Sequence, residues 1–198
     1  VAASMPVWMM LIGAGFFSTP ITRVQVTGAV MSIAGVLIVL SRGNWQTLLA
    51  LHIVPGDILM IIAAIVWSFY SWLLTLPEDP QAIRNRWADF LLAQVAFGVG
   101  WSVMFSAAEW ATAPRSIAWS WPLAAALLFV ALGPAIIALR CWGLGVQRVG
   151  PTIAGFFSNL TPLFAALMSS AFLGEWPHLY HALAFALIVG GIVVSSRR

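Results

Sequence analysis

Residues 57–76 read DILMIIAAIVWSFYSWLLTL and contain a single charged residue, Asp57, at their start. A helix needs roughly 20 predominantly apolar residues to cross a hydrocarbon core of about 30 Å. Because no water is available in that core, the backbone of the segment must satisfy its own hydrogen bonds, as a helix does. This stretch is therefore predicted to be a membrane-spanning helix.

The rest of the chain has the same character. Apolar residues make up 62% of it and charged residues 8%, with a mean hydropathy of +0.97. A soluble domain has about 25% charged residues, so this chain could not cover its own surface in water. An all-α polytopic membrane protein is predicted, with seven transmembrane helices. Their approximate ranges are 1–18, 24–41, 57–76, 88–108, 122–142, 148–173 and 178–196.

The charges predict an orientation. The net charge of +3 comes from scattered arginines, whereas nucleic-acid binding needs clustered basic residues on a polar face. No nucleic-acid partner is expected. By the positive-inside rule the arginine-rich side is cytoplasmic, which predicts a multi-pass protein of the plasma or inner membrane with a cytoplasmic C-terminus. One predicted side holds Arg23, Arg84, Arg86, Arg140, Arg148, Arg197 and Arg198, and the other holds Arg42 and Arg115.

An internal repeat is predicted from an ungapped shift of 156 residues. It superimposes Pro6 on Pro162, Gly35 on Gly191 and Arg42 on Arg198. Five helices separate equivalent positions, and an odd number inverts the second copy. Inverted-topology repeats are typical of secondary transporters.

The repeat predicts a domain organisation. Residues 1–42 would be the last two helices of a first repeat, residues 43–56 an outer connecting loop, and residues 57–198 a complete second five-helix repeat. The first copy would then lack its opening three helices. We therefore expect an N-terminally truncated part of a ten-helix bundle.

Two stretches carry a resemblance to a known family. Residues 56–71 (GDILMIIAAIVWSFYS) resemble the opening helix of a repeat in the EamA-like family of the drug/metabolite transporter superfamily. Residues 161–175 (TPLFAALMSSAFLGE), with the segment from Ala182 to Ile192, resemble its closing helix pair. The resemblance implies ten helices, cytoplasmic termini and export of amino acids, related metabolites or toxic compounds by alternating access. One departure is Ser18-Thr19, where the second copy has Gly174-Glu175.

The first candidate site is Ser158-Asn159-Leu160-Thr161-Pro162. Polar groups deep in a membrane are costly and suggest a function. Pro162 removes a backbone donor and frees a carbonyl one turn earlier. Asn159 and Thr161 either satisfy that carbonyl region locally or meet a polar group of a substrate, and both interpretations remain open.

Two further helices offer cavity candidates. Trp67, Tyr70 and Ser71 share one face of the third segment, at spacings of three and four residues. Gln94 and Trp101 lie two turns apart on the fourth. Each set either lines a substrate cavity or contacts neighbouring helices.

Four residues are candidate hinges or kinks. Gly133 and Pro134 interrupt the fifth segment, and Pro162 and its equivalent Pro6 interrupt two others. Prolines kink helices, and such a break is either a hinge for alternating access or a simple bend.

Small residues predict close packing. Gly28, Ser32 and Gly35 form one stripe, and Ala182, Ala186 and Gly190 another. Such stripes let helices approach closely. They also leave a homodimer open.

No metal, cofactor or catalytic residue is predicted. Glu175, His178 and His181 are spaced at three residues near an outer hairpin, which is weak support for a metal site. No acid or histidine lies at mid-membrane, where an intramembrane enzyme would need one. The leading hypothesis is a secondary transporter that exports small metabolites (amino acids, related compounds or drugs). The alternatives are an intramembrane enzyme or a non-transporting membrane scaffold or sensor.

Overall fold

The computed structural model describes residues 2–44, 46, 54–76, 86–112, 117–174 and 179–196. Within these ranges the chain is helical and contains no strand. The helices are α1 (Met5–Phe16), α2 (Arg23–Leu40), α3 (Pro55–Leu73), α4 (Trp87–Thr112), α5 (Trp121–Val149), α6 (in two parts, Pro151–Phe157 and Thr161–Leu173) and α7 (Leu179–Ser196). In the described residues six helices are long and apolar enough to cross a membrane, and α1 is a shorter apolar helix. The prediction of an all-α polytopic membrane protein is confirmed.

Local sequence signals explain where several helices begin. The Thr22 side chain accepts a hydrogen bond from the Gln25 backbone N–H at 3.2 Å, and the Thr22 N–H donates to Gln25 Oε1 at 3.0 Å. This capping box satisfies two donors at the start of α2. Prolines occupy the first turns of α1, α3 and both parts of α6, where their missing N–H costs no helical bond.

The predicted break between the fifth and sixth segments is wrong. The sequence suggested a connection at about 142–148, but α5 continues to Val149 and the chain turns at Gly150, whose φ is +85°. Glycine adopts this left-handed conformation easily, and Pro151 then begins the next helix. The polar residues Gln147 and Arg148 lie in the last turn of α5, because a helix end can extend beyond the hydrocarbon core.

Two shorter corrections concern helix ends. A 3₁₀ turn, Ala2–Ser4, precedes α1, and α1 ends at Phe16 where the apolar run suggested about 18. Helix α4 extends to Thr112, one turn beyond the predicted 108, because Ala107, Ala108 and Glu109 are good helix formers.

The chain divides into two compact units. The first contains Val1–Thr75 and Gly145–Arg198, and the second contains Leu76–Leu144. The first unit has a buried core between α1, α2, α6 and α7. Its members are Met10, Ala29, Val36, Phe156, Ile188 and Ile192.

Helices α2 and α7 meet through their backbones. A Cβ added to Gly28 would lie 2.6 Å from the backbone oxygen of Gly191, and one added to Gly191 would lie 2.6 Å from that of Gly28. A Cβ on Gly35 would lie 2.8 Å from the Ala184 oxygen. Since positions rise along α2 as they fall along α7, the two helices are antiparallel.

The predicted small-residue stripe is right on α2 and wrong on α7. Gly28, Ser32 and Gly35 are buried against α7. On α7 the contacting face carries Ala184, Ile188 and Gly191, whereas Ala182 and Ala186 are exposed. Every face of α7 is apolar, so its sequence does not identify the packed face.

Local structure recurs at the spacing of the sequence repeat. The sequence repeat has a shift of 156 residues. The 3₁₀ turns Ala2–Ser4 and Ser158–Leu160 are offset by the same amount. Pro6 and Pro162 each follow such a turn, as the second residue of a helix. This recurrence supports an internal repeat.

Gly191→Ala is expected to lower the thermal unfolding midpoint of the purified protein, because the new methyl group would overlap the Gly28 backbone. Gly190→Ala is the matched control on the same helix. Its Cβ would meet only the flexible Met31 methyl group, at 3.1 Å. Equal midpoints for the two variants would contradict the close α2–α7 contact.

Candidate functional site

A polar pair lies inside the core of the first unit. Asn159 is 1% exposed and Ser32 is 0% exposed. The Asn159 Nδ2 donates a hydrogen bond of 2.8 Å to Ser32 Oγ. The bond joins the break in α6 to the middle of α2.

The other end of the Asn159 amide is unused. Its Oδ1 is buried and has no hydrogen-bond partner among the described residues. An unsatisfied buried acceptor costs about 1–3 kcal/mol. The site therefore contains a buried acceptor available to a donor that this conformation does not supply.

The backbone around Pro162 explains why Asn159 is free to bond elsewhere. Residues Ser158–Leu160 form a 3₁₀ turn, and the Thr161 N–H donates to the Ser158 carbonyl. This is the carbonyl that an N–H at Pro162 would otherwise have used. The 3₁₀ bond thus replaces the lost helical bond, and the Asn159 amide is directed to α2.

The pair has no polar counterpart at the equivalent positions of the repeat. A shift of 156 residues relates Asn159 to Ala3 and Ser32 to Ile188. Ala3 packs against the buried core, of which Ile188 is a member. The shift that defines the predicted repeat thus relates this polar pair to two apolar residues.

The flanking residues Ser158 and Thr161 differ in burial. Ser158 is half-buried and Thr161 is exposed. The structure therefore places Asn159 inside the protein and Thr161 on its surface, with Ser158 between them in burial.

The three candidates on α3 lie close to one another. The rings of Trp67 and Tyr70 have centroids 5.2 Å apart, and both side chains are half-buried. Ser71 is fully buried and its hydroxyl donates to the Trp67 carbonyl at 2.8 Å. Trp67 and Tyr70 thus form an aromatic surface, while Ser71 faces the interior.

The anchor of α3 was missed by the sequence reasoning. The indole N–H of buried Trp72 donates to the Met9 carbonyl at 2.8 Å, across to α1. Its ring also stacks on Phe17 at 5.2 Å, and Gly13 leaves space for it. Tryptophans are common throughout this chain, and only the pairing with a glycine on α1 distinguishes this one.

Gln94 and Trp101 lie on α4, in the second unit. Trp101 is 59% exposed and lines an apolar groove of about 390 Å³ with Ala96, Phe97, Gly100 and Met104. Gln94 is half-buried. A cavity that combines residues of both units stays a prediction.

The four candidate hinges fall into two kinds. Pro134 lies inside a π-helical segment, Ala131–Ala138, and a Cβ on Gly133 would meet no atom within 4 Å. Pro162 and Pro6 lie in first turns, where proline is tolerated, so the change of helix geometry precedes them. A hinge role for any of the four stays a prediction.

In the described part of the chain, no group of three or more His, Cys, Asp or Glu side chains could hold a metal ion. Glu175 and His178 lie outside the described residues. His181 is half-buried, and its ring centroid lies 4.1 Å from that of Tyr180, with the rings tilted by 36°.

Comparisons with known proteins point to one family. The model of the EamA-like transporter family matches residues 54–197, more than half of the chain. The aromatic amino acid exporter YddG of Ancylobacter novellus is 26% identical over 196 residues, covering 99% of this chain and 65% of that protein. The uncharacterized transporter YyaM of Bacillus subtilis is 22% identical over 176 residues, covering 88% of this chain and 55% of its own length.

The crystal structure of another protein is similar in fold to this chain. It matches 98% of this chain with a TM-score of 0.70 and 25% sequence identity, over 64% of its own length. The chain thus spans less than two thirds of the length of these relatives.

Ser32→Ala is expected to destabilise the protein by about 0.5–2 kcal/mol, because both ends of the Asn159 amide would then be unpaired. The double variant Ser32→Ala/Asn159→Leu is expected to regain most of that loss, since replacing both partners with apolar groups removes the unpaired amide. Thermal unfolding in one detergent measures both changes.

The matched control is Ser195→Ala. Ser195 is also buried, but its hydroxyl bonds only to Ile192 in its own helix, at 2.9 Å. If Ser32→Ala is no worse than this control, the pair does not stabilise the contact between α2 and α6.

Proposed function

The chain belongs to the EamA-like transporter family, and on that basis we propose that it exports amino acids or related small metabolites across the cytoplasmic membrane by alternating access. The family supports transport. The substrate class and the outward direction are drawn from the relative named an aromatic amino acid exporter, which matches 99% of this chain. Drugs form the second substrate class that the proposal includes.

The observation that carries this proposal is the depth and burial of Asn159. The α6 span runs Pro151–Phe172. At a rise of 1.5 Å per residue, Asn159 lies about 12 Å inside that span. A polar side chain at such depth is expensive and is typical of a transport pathway. Broken helices at membrane depth are tolerated where they line a cavity.

The Asn159–Ser32 bond is suited to exchange. Hydrogen bonds between membrane helices contribute about 0.6 kcal/mol on average and at most about 1.7. A substrate carboxylate could therefore replace Ser32 as the acceptor of the Asn159 N–H at little cost, and a substrate ammonium could donate to the unused Oδ1. In the proposed cycle Asn159 bonds to Ser32 in one state and to the substrate in the other.

The remaining cavity residues are assigned as part of the same proposal. Trp67 and Tyr70 supply an aromatic wall, on which a cationic or aromatic substrate gains about 0.5–2 kcal/mol. Ser71, Ser158 and Thr161 complete the lining proposed within the first unit. A part for Gln94 and Trp101 of α4 stays a prediction from the sequence. The hinges would be Gly133-Pro134 and the breaks before Pro6 and Pro162.

We assign residues 1–42 to the end of one repeat, 43–56 to a connecting loop and 57–198 to a second, inverted repeat of a ten-helix protein. The 3₁₀ turns and the prolines that follow them recur at 156 residues and support this division, as does the family match over 54–197. The arginine distribution supports a cytoplasmic C-terminus. A homodimer is compatible with the exposed apolar surface.

Export is tested in cells that express the protein, by measuring extracellular amino acids against an empty-vector strain. The unmodified protein is expected to raise the extracellular concentration of at least one amino acid. The Ser32→Ala/Asn159→Leu variant is expected to lower that rate by about tenfold, because it cannot bond the substrate even where its stability is regained.

Ser195→Ala is the matched control and should export normally at equal expression. Normal export by the double variant would show that Asn159 does not bind the substrate during transport. If the unmodified protein changes no extracellular amino acid, export of this substrate class is wrong.

A further inference from the structure

Arg140 and Trp87 form a cation–π pair in the second unit. The guanidinium carbon of Arg140 lies 4.9 Å from the centroid of the Trp87 ring. Arg140 is exposed and Trp87 is half-buried. Arg86 and Asp89 form an ion pair, with 3.3 Å between Arg86 Nε and Asp89 Oδ2. Among the described residues, no carboxylate forms an ion pair with Arg140.

The pair lies at the boundary of the hydrocarbon core. Trp121 begins α5, and Arg140 follows it by 19 residues, or about 28 Å of helix. With Trp121 at one interface of a core about 30 Å thick, Arg140 reaches the other. Trp87 is the first residue of α4, and tryptophan rings favour the headgroup region.

The cation–π contact leaves the donors of Arg140 available. An aromatic ring attracts the charge of a guanidinium and offers no hydrogen-bond acceptor to replace an oxygen at its five N–H donors. That fork matches two oxygens of a phosphate. Asp89, two residues after Trp87, is paired with Arg86. Together, Arg86, Asp89 and Arg140 carry one net positive charge.

The surroundings favour a lipid as the source of the phosphate. Ile137 precedes Arg140 by one turn and is 60% exposed, and Leu144 follows it by one turn and is 43% exposed. These side chains offer an apolar strip on either side of the guanidinium. A headgroup bound to Arg140 would thus place its acyl chains along α5.

We propose that Arg140, oriented by Trp87, binds the phosphate of an anionic phospholipid at the arginine-rich membrane interface. Basic sites between transmembrane helices bind such headgroups in membrane proteins. The site shares no residue with the proposed transport pathway. Its ligand is a lipid that stays with the protein.

Native mass spectrometry of the purified protein, titrated with phosphatidylglycerol or phosphatidylcholine, tests this site. The unmodified protein is expected to retain phosphatidylglycerol preferentially. Arg140→Gln should weaken that binding about tenfold, as loss of a charge-assisted contact implies. Arg140→Lys should weaken it less, since it keeps the charge and loses the fork.

Trp87→Leu tests the orientation without changing the charge, and it should also reduce the preference for phosphatidylglycerol. Arg148→Gln is the control, because it removes another exposed arginine from the last turn of α5. Circular dichroism verifies that each variant keeps its helical content. An unchanged preference in both Arg140→Gln and Trp87→Leu, or an equal loss in Arg148→Gln, would overturn the proposal.

Glycerol 1-phosphate distinguishes the two sources of a phosphate group. Glycerol 1-phosphate lacks acyl chains. It should therefore not displace phosphatidylglycerol from the proposed site at equal concentration. Displacement at equal concentration would mean that the site takes a soluble phosphate, and the assignment to a lipid would be wrong.

Discussion

The backbone contact between α2 and α7 is the constraint on which the rest of the first unit depends. Between helices in a bilayer the hydrophobic effect supplies no attraction, so association relies on close packing and on hydrogen bonds. Gly28 and Gly191 permit that closeness because each lies against the backbone of the other helix. The buried core of α1, α2, α6 and α7 forms around this contact.

The same contact sets the geometry of the candidate site. Ser32 lies one turn from Gly28 and faces both Gly191 and the break in α6. Asn159 therefore meets a hydroxyl inside a buried interface between helices. One amide end is satisfied and the other is not, which makes the pair weaker than a fully bonded network. A link of that kind can be exchanged when helices move.

Much of the fold follows from hydropathy and from proline positions. The apolar runs locate the helices, and prolines in first turns account for the starts of α1, α3 and α6. The α5–α6 break was placed too early, since the predicted fifth segment ended at about 142, whereas α5 continues to Val149 and Gly150 forms the turn. The packed face of α7 could not be predicted, since an apolar helix in lipid has no polar face to define the opposite one.

One member of the polar pair at the candidate site was predicted from the sequence, and the other was not. Asn159 was identified because a polar residue beside a proline is unusual in an apolar run. Its partner Ser32 was assigned only to helix packing, since nothing local relates residues 127 positions apart. Trp72 was missed for a similar reason, as its acceptor is a backbone carbonyl of α1 and carbonyls have no sequence signature.

The proposed inverted repeat requires two equivalent helix pairs of opposite orientation. One pair is α1 with α2, and the other is the second part of α6 with α7. Single cysteines at Ile21, just before α2, and at Leu179, the first residue of α7, test it most directly. The exposed Cys141 is first replaced by serine. A membrane-impermeant maleimide should label Leu179→Cys in intact cells and Ile21→Cys only after permeabilisation. Labelling of both positions from the same side would contradict the inverted repeat.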